Sequence, residues 1–385
     1  MKSKVVEAYK DEQQEIYNKR FGVVFNGEDN LKPLIIENLI DCSPTAFQCA
    51  WIYASFLGGG GFEKDLSSVN LSDNFWDVLT PNDLLFNVCE PVSRHQGVFV
   101  HVGYNANYEK ESYKVIPYSL CRVGKKDSKG YSGKIIVSPN GWGKKLKKEQ
   151  VDVFDIYNPR PEVIQEQVEK AGGWENYKGQ IFFFKLDSKY TYPKSPIESA
   201  YTYADSEHLM GHYYNNTIKR KFEDIDVIRH RKFPSKAAEN SFYNNVKKIS
   251  GLENASSKLI VEDDWDDERE KSGNFKFDKL ESSATPKKYE HIETVVTNKI
   301  RKCYKTPPQL IDFIQGKLGN SSGTDLKTAQ AVYNSITARP RQKLQTFLSE
   351  LFRNYKDPIN PDNDWTIKQY ALLNDGTVGD TTQEV

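Results

Sequence analysis

The sequence lacks paired cysteines and long apolar runs, and each absence excludes a class of protein. Its five cysteines are odd in number and include no CxxC pair, so free thiols in a reducing compartment are expected and a zinc site is not indicated. No run of about eighteen apolar residues occurs, and the N-terminal segment is charged, which predicts neither a membrane span nor a signal peptide. The expected compartment is therefore cytosolic.

An excess of positive charge is also missing. The chain has 53 Lys+Arg against 53 Asp+Glu, which gives a formal net charge of zero. Proteins that hold nucleic acid tightly are usually basic overall, because their affinity comes from neutralising phosphates. Whatever this chain does near DNA, it is not expected to act as a high-affinity clamp.

The residues that common enzyme sites need are not arranged for catalysis. Gly58 to Gly61 follows an apolar helix instead of preceding one, and no Gly-Lys-Ser/Thr comes next, so a flexible helix exit is favoured over a phosphate loop. His208 and His212 are four residues apart, but the glutamate of H-E-x-x-H is missing, which favours packing or hydrogen bonding over a zinc hydrolase. With no nucleophile constellation either, we predict no enzymatic activity, no metal and no cofactor.

The first half of the chain predicts a mixed domain in which helices alternate with short strands. The expected helices are Val5 to Arg20, Thr45 to Leu57, a short one from Thr80, and Pro159 to Ala171. The expected strands are Gly97 to Tyr104, Ser112 to Pro117, Tyr118 to Val123, Lys134 to Val137 and Ile181 to Phe184.

The stretch from Ser195 to Tyr304 predicts two long helices with a compact insertion between them. Ser195-Pro196-Ile197-Glu198 reads as a capping box with proline at the first helical position, and that helix is expected to run to about Phe222. Thr285-Pro286 opens the second helix, which must stop at Thr306 because two prolines follow. An apolar stripe on the second helix is formed by Tyr289, Ile292, Val296, Ile300 and Cys303.

The insertion has its own pattern of small elements. Strands are expected at Ile225 to His230, Lys258 to Val261 and Asn274 to Leu280, with a helix from Pro234 to Ile249. A unit of this kind mounted on two rods would present a docking surface.

The C-terminal part predicts a flexible segment, Gly316 to Gly323, and then a long helix. Asp325 to Ala338 is expected to be helical, with a kink at Pro340 and a continuation over Lys343 to Tyr355. A final strand is expected at Trp365 to Leu373, followed by a frayed polar tail over Asn374 to Val385. The fold class predicted for the whole chain is α+β.

This order of features resembles that of the tailed-bacteriophage portal proteins, of the compact kind with a short crown. The resemblance covers Thr45 to Leu373 and lies in four stretches. The family's wing is similar to Phe47 to Leu57 with Thr80-Pro81-Asn82 and Gly97 to Tyr104. The start of its first stem helix, Gly-x-Ser-Pro-Leu, is similar to Tyr192 to Ala200, and the Val-Pro-Pro exit of its second stem helix is similar to Lys305 to Ile311. Its tunnel loop and long kinked helix are similar to Gly319 to Tyr333 with Pro340. The chain departs from the family at Pro193-Lys194, where glycine is usual, and in its nearly absent crown.

The resemblance implies a division of the chain into the parts of a portal subunit. These parts are a mixed α/β wing over 1–193, stem helix 1 over 194–222, a small α/β clip over 223–284, stem helix 2 over 285–305, the tunnel loop, kinked helix and return to the wing over 306–373, and a disordered tail over 374–385.

The resemblance also implies a function and a set of partners. The chain would form a ring, typically of twelve subunits, at one vertex of a phage or prophage capsid, and would be assembled in the bacterial cytoplasm. It would be a conduit through which double-stranded DNA enters and leaves the head without sequence-specific contact. Its implied protein partners are further copies of itself, the terminase large subunit, the major capsid and scaffold proteins and the head-tail adaptor, with no membrane involved.

Candidate DNA-facing residues follow from this picture. A cation facing the channel is repeated in every subunit, so a conduit should touch the duplex sparsely and be close to neutral overall. Each basic cluster has a second reading, because it could equally form ion pairs with a neighbouring subunit. The candidates are Lys219, Arg220, Lys221, Arg301, Lys302, Lys305, Lys317, Asn320 and Ser321.

Candidate docking residues lie in the clip. The acidic run from Glu262 to Glu268 could dock on a basic partner or bind a divalent metal, and a solvated acidic loop is the plainer alternative that we favour over metal. The docking candidates are Arg229, Arg231, Lys232, Asp263, Asp264, Trp265, Asp266 and Asp267. Two other functions stay open: a different ring-forming neck or adaptor protein, and a metal-dependent nuclease or hydrolase that uses the carboxylates near Trp265.

Overall fold

The structure is a computed structural model of the chain. It describes residues 17–18, 20–72, 79–127, 131–143, 146–187, 189–219, 225–230, 232–254, 258–262, 275–280, 286–311 and 322–371. The chain divides into two compact units, one formed by Met1–Ala204 with Lys299–Val385 and the other by Asp205–Asn298.

The described elements are a mixture of helices and strands, as the sequence pattern predicts. The helices are α1 (Lys32–Cys42), α2 (Pro44–Gly58), α3 (Pro81–His95), α4 (Pro161–Ala171), α5 (Tyr201–Lys219), α6 (Lys236–Asn254), α7 (Pro286–Tyr304) and α8 (Ser322–Phe352). The strands are β1 (Tyr17–Asn18), β2 (Val23–Val24), β3 (Gly97–Tyr104), β4 (Lys110–Ile116), β5 (Cys121–Val123), β6 (Lys134–Val137), β7 (Asp152–Ile156), β8 (Gln180–Lys185), β9 (Ile225–His230), β10 (Lys258–Glu262) and β11 (Phe275–Leu280). In the part of the chain that the structure describes, no helix combines the length and the apolar character that crossing a bilayer requires.

The first unit is built on a six-stranded sheet in the order β4-β3-β8-β7-β6-β5. Neighbouring strands are antiparallel except for β7 and β8, which are parallel. Buried side chains from four of these strands form one core cluster with Tyr118, and Phe99 stacks on Phe183 with ring centroids 4.1 Å apart. Continuous apolar runs such as β3 are typical of strands that are covered on both faces.

The second unit carries a three-stranded sheet in the order β10-β9-β11. β9 pairs in parallel with β10 and antiparallel with β11. Ile228 and His230 on β9 are buried, and the His230 ring lies 4.5 Å from the ring of Phe233 and 5.8 Å from that of Phe242 on α6. The clip pattern of three strands and one helix that the sequence predicts is therefore present.

Several predicted elements agree closely with the structure. β3, β6 and β9 have the predicted ends, and α2 is capped by Ser43, whose hydroxyl accepts from the Ala46 amide. α1 and β7 were not predicted. α1 has no side-chain cap and no acidic first turn, and β7 has an acidic residue at two of its five positions, so neither carries its usual sequence signal.

Three predictions in the first unit are wrong in type or extent. The helix expected over Val5 to Arg20 cannot reach its predicted end, because Tyr17–Asn18 pairs with Val23–Val24 as a strand. Tyr118–Leu120 is a 3-10 turn and only Cys121–Val123 is a strand. The strand expected at Trp365 to Leu373 is absent as far as Ala371, where the described residues end, since only Ile367 forms an isolated bridge, to Phe62.

Two predictions around the long helices also need correction. The helix that begins at Pro196 has a 3-10 first turn, Pro196–Ala200, and becomes α-helical at Tyr201 without a break. The long C-terminal helix begins at Ser322, so Ser322 and Gly323 belong to α8 and not to the preceding loop. Pro340 lies inside α8 as predicted, and the helix continues through it to Phe352.

At the C-terminal end of α2, replacing Gly59 is expected to lower the free energy of unfolding strongly. Gly59 has φ +56°, and a Cβ there would overlap the carbonyl oxygen of Lys368, whereas Gly141 has φ +78° and open space around it. Gly141→Ala should therefore cost only the backbone penalty of about 1 kcal/mol, and Gly59→Ala several times more, because it also displaces the Lys368 backbone. Urea unfolding of both variants measures the difference, and equal midpoints would contradict this packing.

Candidate channel and docking site

The first long helix begins at Pro196 and the second ends at Tyr304, and these two ends lie side by side within the first unit. The Glu198 carboxylate accepts from the Ser195 amide at 2.8 Å and from the Lys32 ammonium at 2.8 Å, while the Ser195 hydroxyl donates to the Arg94 carbonyl. The returning helix contacts this start, since Ser199 Oγ lies 3.2 Å from Cys303 Sγ. The predicted capping box is thus present, and the serine hydroxyl also donates to the Arg94 carbonyl.

The end of α7 is set by its prolines and by one left-handed residue. Lys305 has φ +56°, its amide donates to the Lys302 carbonyl at 3.2 Å, and the Thr306 amide donates to the Arg301 carbonyl at 3.1 Å. This pattern satisfies carbonyls that the last turn would otherwise leave unpaired. Three candidate cations, Arg301, Lys302 and Lys305, lie at this helix C-terminus, where the helix dipole favours positive charge.

A buried polar contact fixes the end of α7 to α8. The Tyr333 hydroxyl donates to the Tyr304 carbonyl at 3.1 Å and accepts from the Thr306 hydroxyl at 3.3 Å. Burial raises the pKa of both tyrosines, so the phenols stay neutral and Tyr333 keeps its proton to donate. The Tyr333 ring also packs edge-on against Phe56 of α2 at 4.8 Å.

The middle of α8 is held to α2 by a buried arginine. Arg341 follows Pro340 and donates twice to the Phe56 carbonyl, from Nε at 3.2 Å and from Nη2 at 2.8 Å. Nη2 also lies 2.9 Å from Asn334 Oδ1. Phe56 is in the last turn of α2, so the guanidinium satisfies a carbonyl that the helix itself leaves open.

The C-terminal end of α8 is held by a buried lysine. Lys110 on β4 donates to the Tyr157 hydroxyl at 2.7 Å and to the carbonyls of Glu350 and Leu351 at 2.7 and 3.1 Å. Burial lowers the pKa of Lys110 to about 7, against the opposing attraction of the Glu350 carboxylate. A cation at this position complements the negative end of the helix dipole.

This lysine predicts a pH dependence of stability. An unfolded lysine titrates near pH 10.4, so between about pH 7 and that value the unfolded chain binds more protons than the folded chain. The contribution of Lys110 to the free energy of unfolding should therefore rise with pH in that window, by at most about 1.4 kcal/mol per pH unit. The free energy of unfolding of wild type minus that of Lys110→Met should increase from pH 7 to pH 9 and level off below about pH 6.

Urea unfolding at each pH measures this difference. Lys114→Met, at an exposed lysine on the same strand, is the matched control and should run parallel to wild type. Parallel curves for Lys110→Met would contradict the assignment.

The structure describes only part of the predicted DNA-facing set. Arg301 is half-buried, and Lys302 and Lys305 are exposed, all at the end of α7. Lys219 is the last residue of α5. The remaining candidates lie outside the described residues: Arg220, Lys221, Lys317, Asn320 and Ser321.

The predicted loop lies between Ile311 and the start of α8. Before it, the Ile311 carbonyl accepts from Gln48 Nε2 of α2 at 3.2 Å, and after it α8 begins at Ser322. Residues 312–321, between these points, are not described. The loop therefore joins two elements that are each anchored to α2.

The docking candidates of the second unit are less fully described. Arg229 lies on the central strand β9, opposite Val261 on β10 and Lys276 on β11, and Lys232 is exposed. Arg231 and the run from Asp263 to Asp267 lie outside the described residues. Among the residues that are described, no group of three or more His, Cys, Asp or Glu side chains is placed to hold a metal.

Sequence reasoning missed the buried cations that organise this region: Lys110, Arg122 and Arg341. Each is surrounded by carbonyl or hydroxyl acceptors. A weak signal was present for Arg122, which interrupts the apolar run from Cys121 to Val123. Nothing local distinguishes Lys110 from an exposed lysine at the start of a strand.

Comparisons with solved structures show which fold this is. A chain from the virion of a native gene transfer agent particle matches with a TM-score of 0.50 at 10% identity, over 86% of this chain and 80% of that chain. A chain from the neck of that native particle, computed with C12 symmetry, matches with a TM-score of 0.50 at 11% identity, over 87% and 81%. An HK97-family phage portal protein from Corynebacterium diphtheriae gives a TM-score of 0.40 at 10% identity, over 76% and 84%.

The two gene transfer agent likenesses establish that the chain has the fold of a protein from that particle. This confirms the fold, with its mixed α/β wing, paired long helices, small clip and long C-terminal helix, that the resemblance to portal proteins implies. No protein-family model matches the chain, and no curated protein matches it either.

Proposed function

We propose that the chain is a portal protein that assembles into a ring of twelve copies at one capsid vertex and conducts double-stranded DNA. The observation that supports this best is the fold, which extends over most of the chain and is that of a chain from a particle neck computed with C12 symmetry. In this proposal the ring forms in the bacterial cytoplasm with capsid and scaffold proteins. Its clip contacts the terminase large subunit and later the head-tail adaptor.

Exposed apolar pairs on four helices support association with further copies. Trp51 is 59% exposed and Leu209 is 57% exposed, and each has an exposed apolar neighbour one turn away on the same helix. Neighbouring apolar side chains that a single copy leaves exposed are available for contact with another copy. The pairs are Phe47 with Trp51 on α2, Leu209 with Tyr213 on α5, Ile292 with Val295 on α7, and Val332 with Ile336 on α8.

The predicted stripe on α7 agrees with this reading. Val296 and Ile300 are buried within the chain, but Ile292 is exposed, so the stripe continues beyond what a single copy covers. A ring built by head-to-tail contacts would cover such surface on every copy.

The basic end of α7 supports a channel that touches DNA sparsely. Lys302 and Lys305 are exposed there, in a chain with a formal net charge of zero. Repeated around a ring, a few phosphate contacts per copy already add up to a strong, salt-dependent interaction. We propose that these residues, with Lys317, Asn320 and Ser321 of the following loop, face the DNA.

The proposal is tested by mass measurement of the purified chain in its native state, followed by particle averaging without imposed symmetry. The expected result is a closed ring with twelvefold symmetry and a central opening. A compact monomer at every concentration tried would refute it.

Incubation with plasmid DNA and Mg²⁺ or Mn²⁺ separates the conduit role from a nuclease, which would cut the DNA.

A further inference from the structure

Two histidines on α5 have no part in the conduit role. His208 and His212 lie one turn apart on one face of the helix, with Nε2 atoms 3.1 Å apart. His212 is exposed and His208 is half-buried, so both rings can be reached from solvent. Both residues belong to the second unit.

The distance between the two Nε2 atoms matches the distance between two imidazole nitrogens that bind one transition-metal ion. A Zn²⁺ ion binds imidazole nitrogen at about 2.0–2.1 Å, so two nitrogens at this separation subtend about 100° at the ion, between octahedral and tetrahedral angles. The spacing of four residues is also that of paired zinc-binding histidines on helices.

The placement of the rings argues against a linear, end-to-end hydrogen bond between them. Their centroids are 4.5 Å apart and their planes are at 82°. A linear N–H···N bond between the two Nε2 atoms would place the centroids more than about 5 Å apart, because each nitrogen stands about 1 Å outside its ring centre. The two ring axes are therefore not collinear.

We propose that His208 and His212 form a bidentate site for a divalent transition metal such as Zn²⁺ or Ni²⁺. Imidazole selects these ions over Mg²⁺ and Ca²⁺, which prefer oxygen ligands. Among the described residues no third side-chain ligand joins the pair, so water completes the coordination. The residue after His208 is Leu209 where H-E-x-x-H has its glutamate, so the site binds the ion without a general base for hydrolysis.

The test is calorimetric titration of the full, tag-free chain, stripped with a chelator, with ZnCl₂, NiCl₂ and MgCl₂. The expected result is one Zn²⁺ or Ni²⁺ per chain and no heat with Mg²⁺. His208→Asn and His212→Asn should each weaken binding by at least about tenfold. His291→Asn, at an exposed histidine on α7, is the matched control and should bind as wild type does.

A spectroscopic readout separates a true chelate from a general effect on folding. With Cu²⁺ bound, the electron paramagnetic resonance spectrum should show two nitrogen ligands in wild type and one in either single variant, each with an unchanged circular dichroism spectrum. Absence of binding at millimolar Zn²⁺, wild-type affinity in both α5 variants, or an equal loss in His291→Asn would overturn the proposal.

Discussion

Deleting Gly319 to Gly323, the end of the segment between α7 and α8 together with the first two residues of α8, is expected to leave the ring intact and to block DNA packaging. Deleting Gly319 to Gly323 shortens the segment that carries the candidates Asn320 and Ser321. The contacts that hold its two ends, from Gln48 to Ile311 and from Tyr333 to Tyr304, lie outside the deletion. Because each lost contact is repeated in every copy, packaged DNA per particle should fall by roughly an order of magnitude or more.

The measurement is the DNA content of particles assembled with the variant as their only source of this chain. The matched control replaces the same five residues with a Gly-Ser sequence of equal length. If that control also fails, the side chains and not the length of the loop are required. Rings that form normally and package DNA at the wild-type level with the deletion would contradict the role assigned to the loop. Loss of the rings themselves would instead show that the deletion damages assembly.

Replacing Arg122 is expected to destabilise the first unit more than any surface substitution. Arg122 is 1% exposed, and no carboxylate among the described residues forms an ion pair with it. Instead, it donates to Asn30 Oδ1 at 2.6 Å, to the Asn30 carbonyl at 2.5 Å and to the carbonyls of Ser119 and Cys121 at 2.9 and 2.6 Å. It also lies over the Trp142 ring, 5.2 Å from the centroid.

Arg122→Met would leave these acceptors buried without a donor. Each unsatisfied group costs about 1–3 kcal/mol, so a loss of roughly 3–5 kcal/mol in the free energy of unfolding is expected. Arg122→Lys should recover only part of it, because an ammonium cannot match the fork of five N–H donors.

Urea unfolding at one fixed protein concentration measures these changes, since association would shift the midpoint. Arg353→Met is the control, because Arg353 forms an exposed ion pair with Glu350 at 3.2 Å that should contribute little. A midpoint for Arg122→Met equal to that of the control would show that the arginine is not an anchor.

Much of the fold could be predicted because its signals are local. Proline follows a capping residue at the start of α2 and α3, and these starts are recovered from the sequence. The clip strands were predicted from short apolar runs bounded by polar segments, and β9 was recovered with both ends. Local capping and β-branched composition act through neighbouring residues, so they need no knowledge of the fold.

The candidate site was harder to predict, because its residues are positioned by distant partners. Lys110 meets the end of α8 about 240 positions later in the chain, and Arg341 meets α2 about 285 positions earlier. Neither contact leaves a trace in the sequence around it. The wrong strand at Trp365 to Leu373 has the same origin, since the described part of this stretch, up to Ala371, contacts α8 and Phe62 instead of joining a sheet edge.

The sequence by itself determined where α2, α3 and α7 begin, which runs become β3, β6 and β9, and that the chain is neutral, because capping, proline geometry and charge count are properties of short segments. Only the tertiary structure decided which cations are buried as anchors and which stay exposed at the end of α7. It also decided that the helix from Pro196 opens with a 3-10 turn. These outcomes depend on burial and on acceptors supplied from hundreds of residues away, and the free energy of a buried charge is set by those partners.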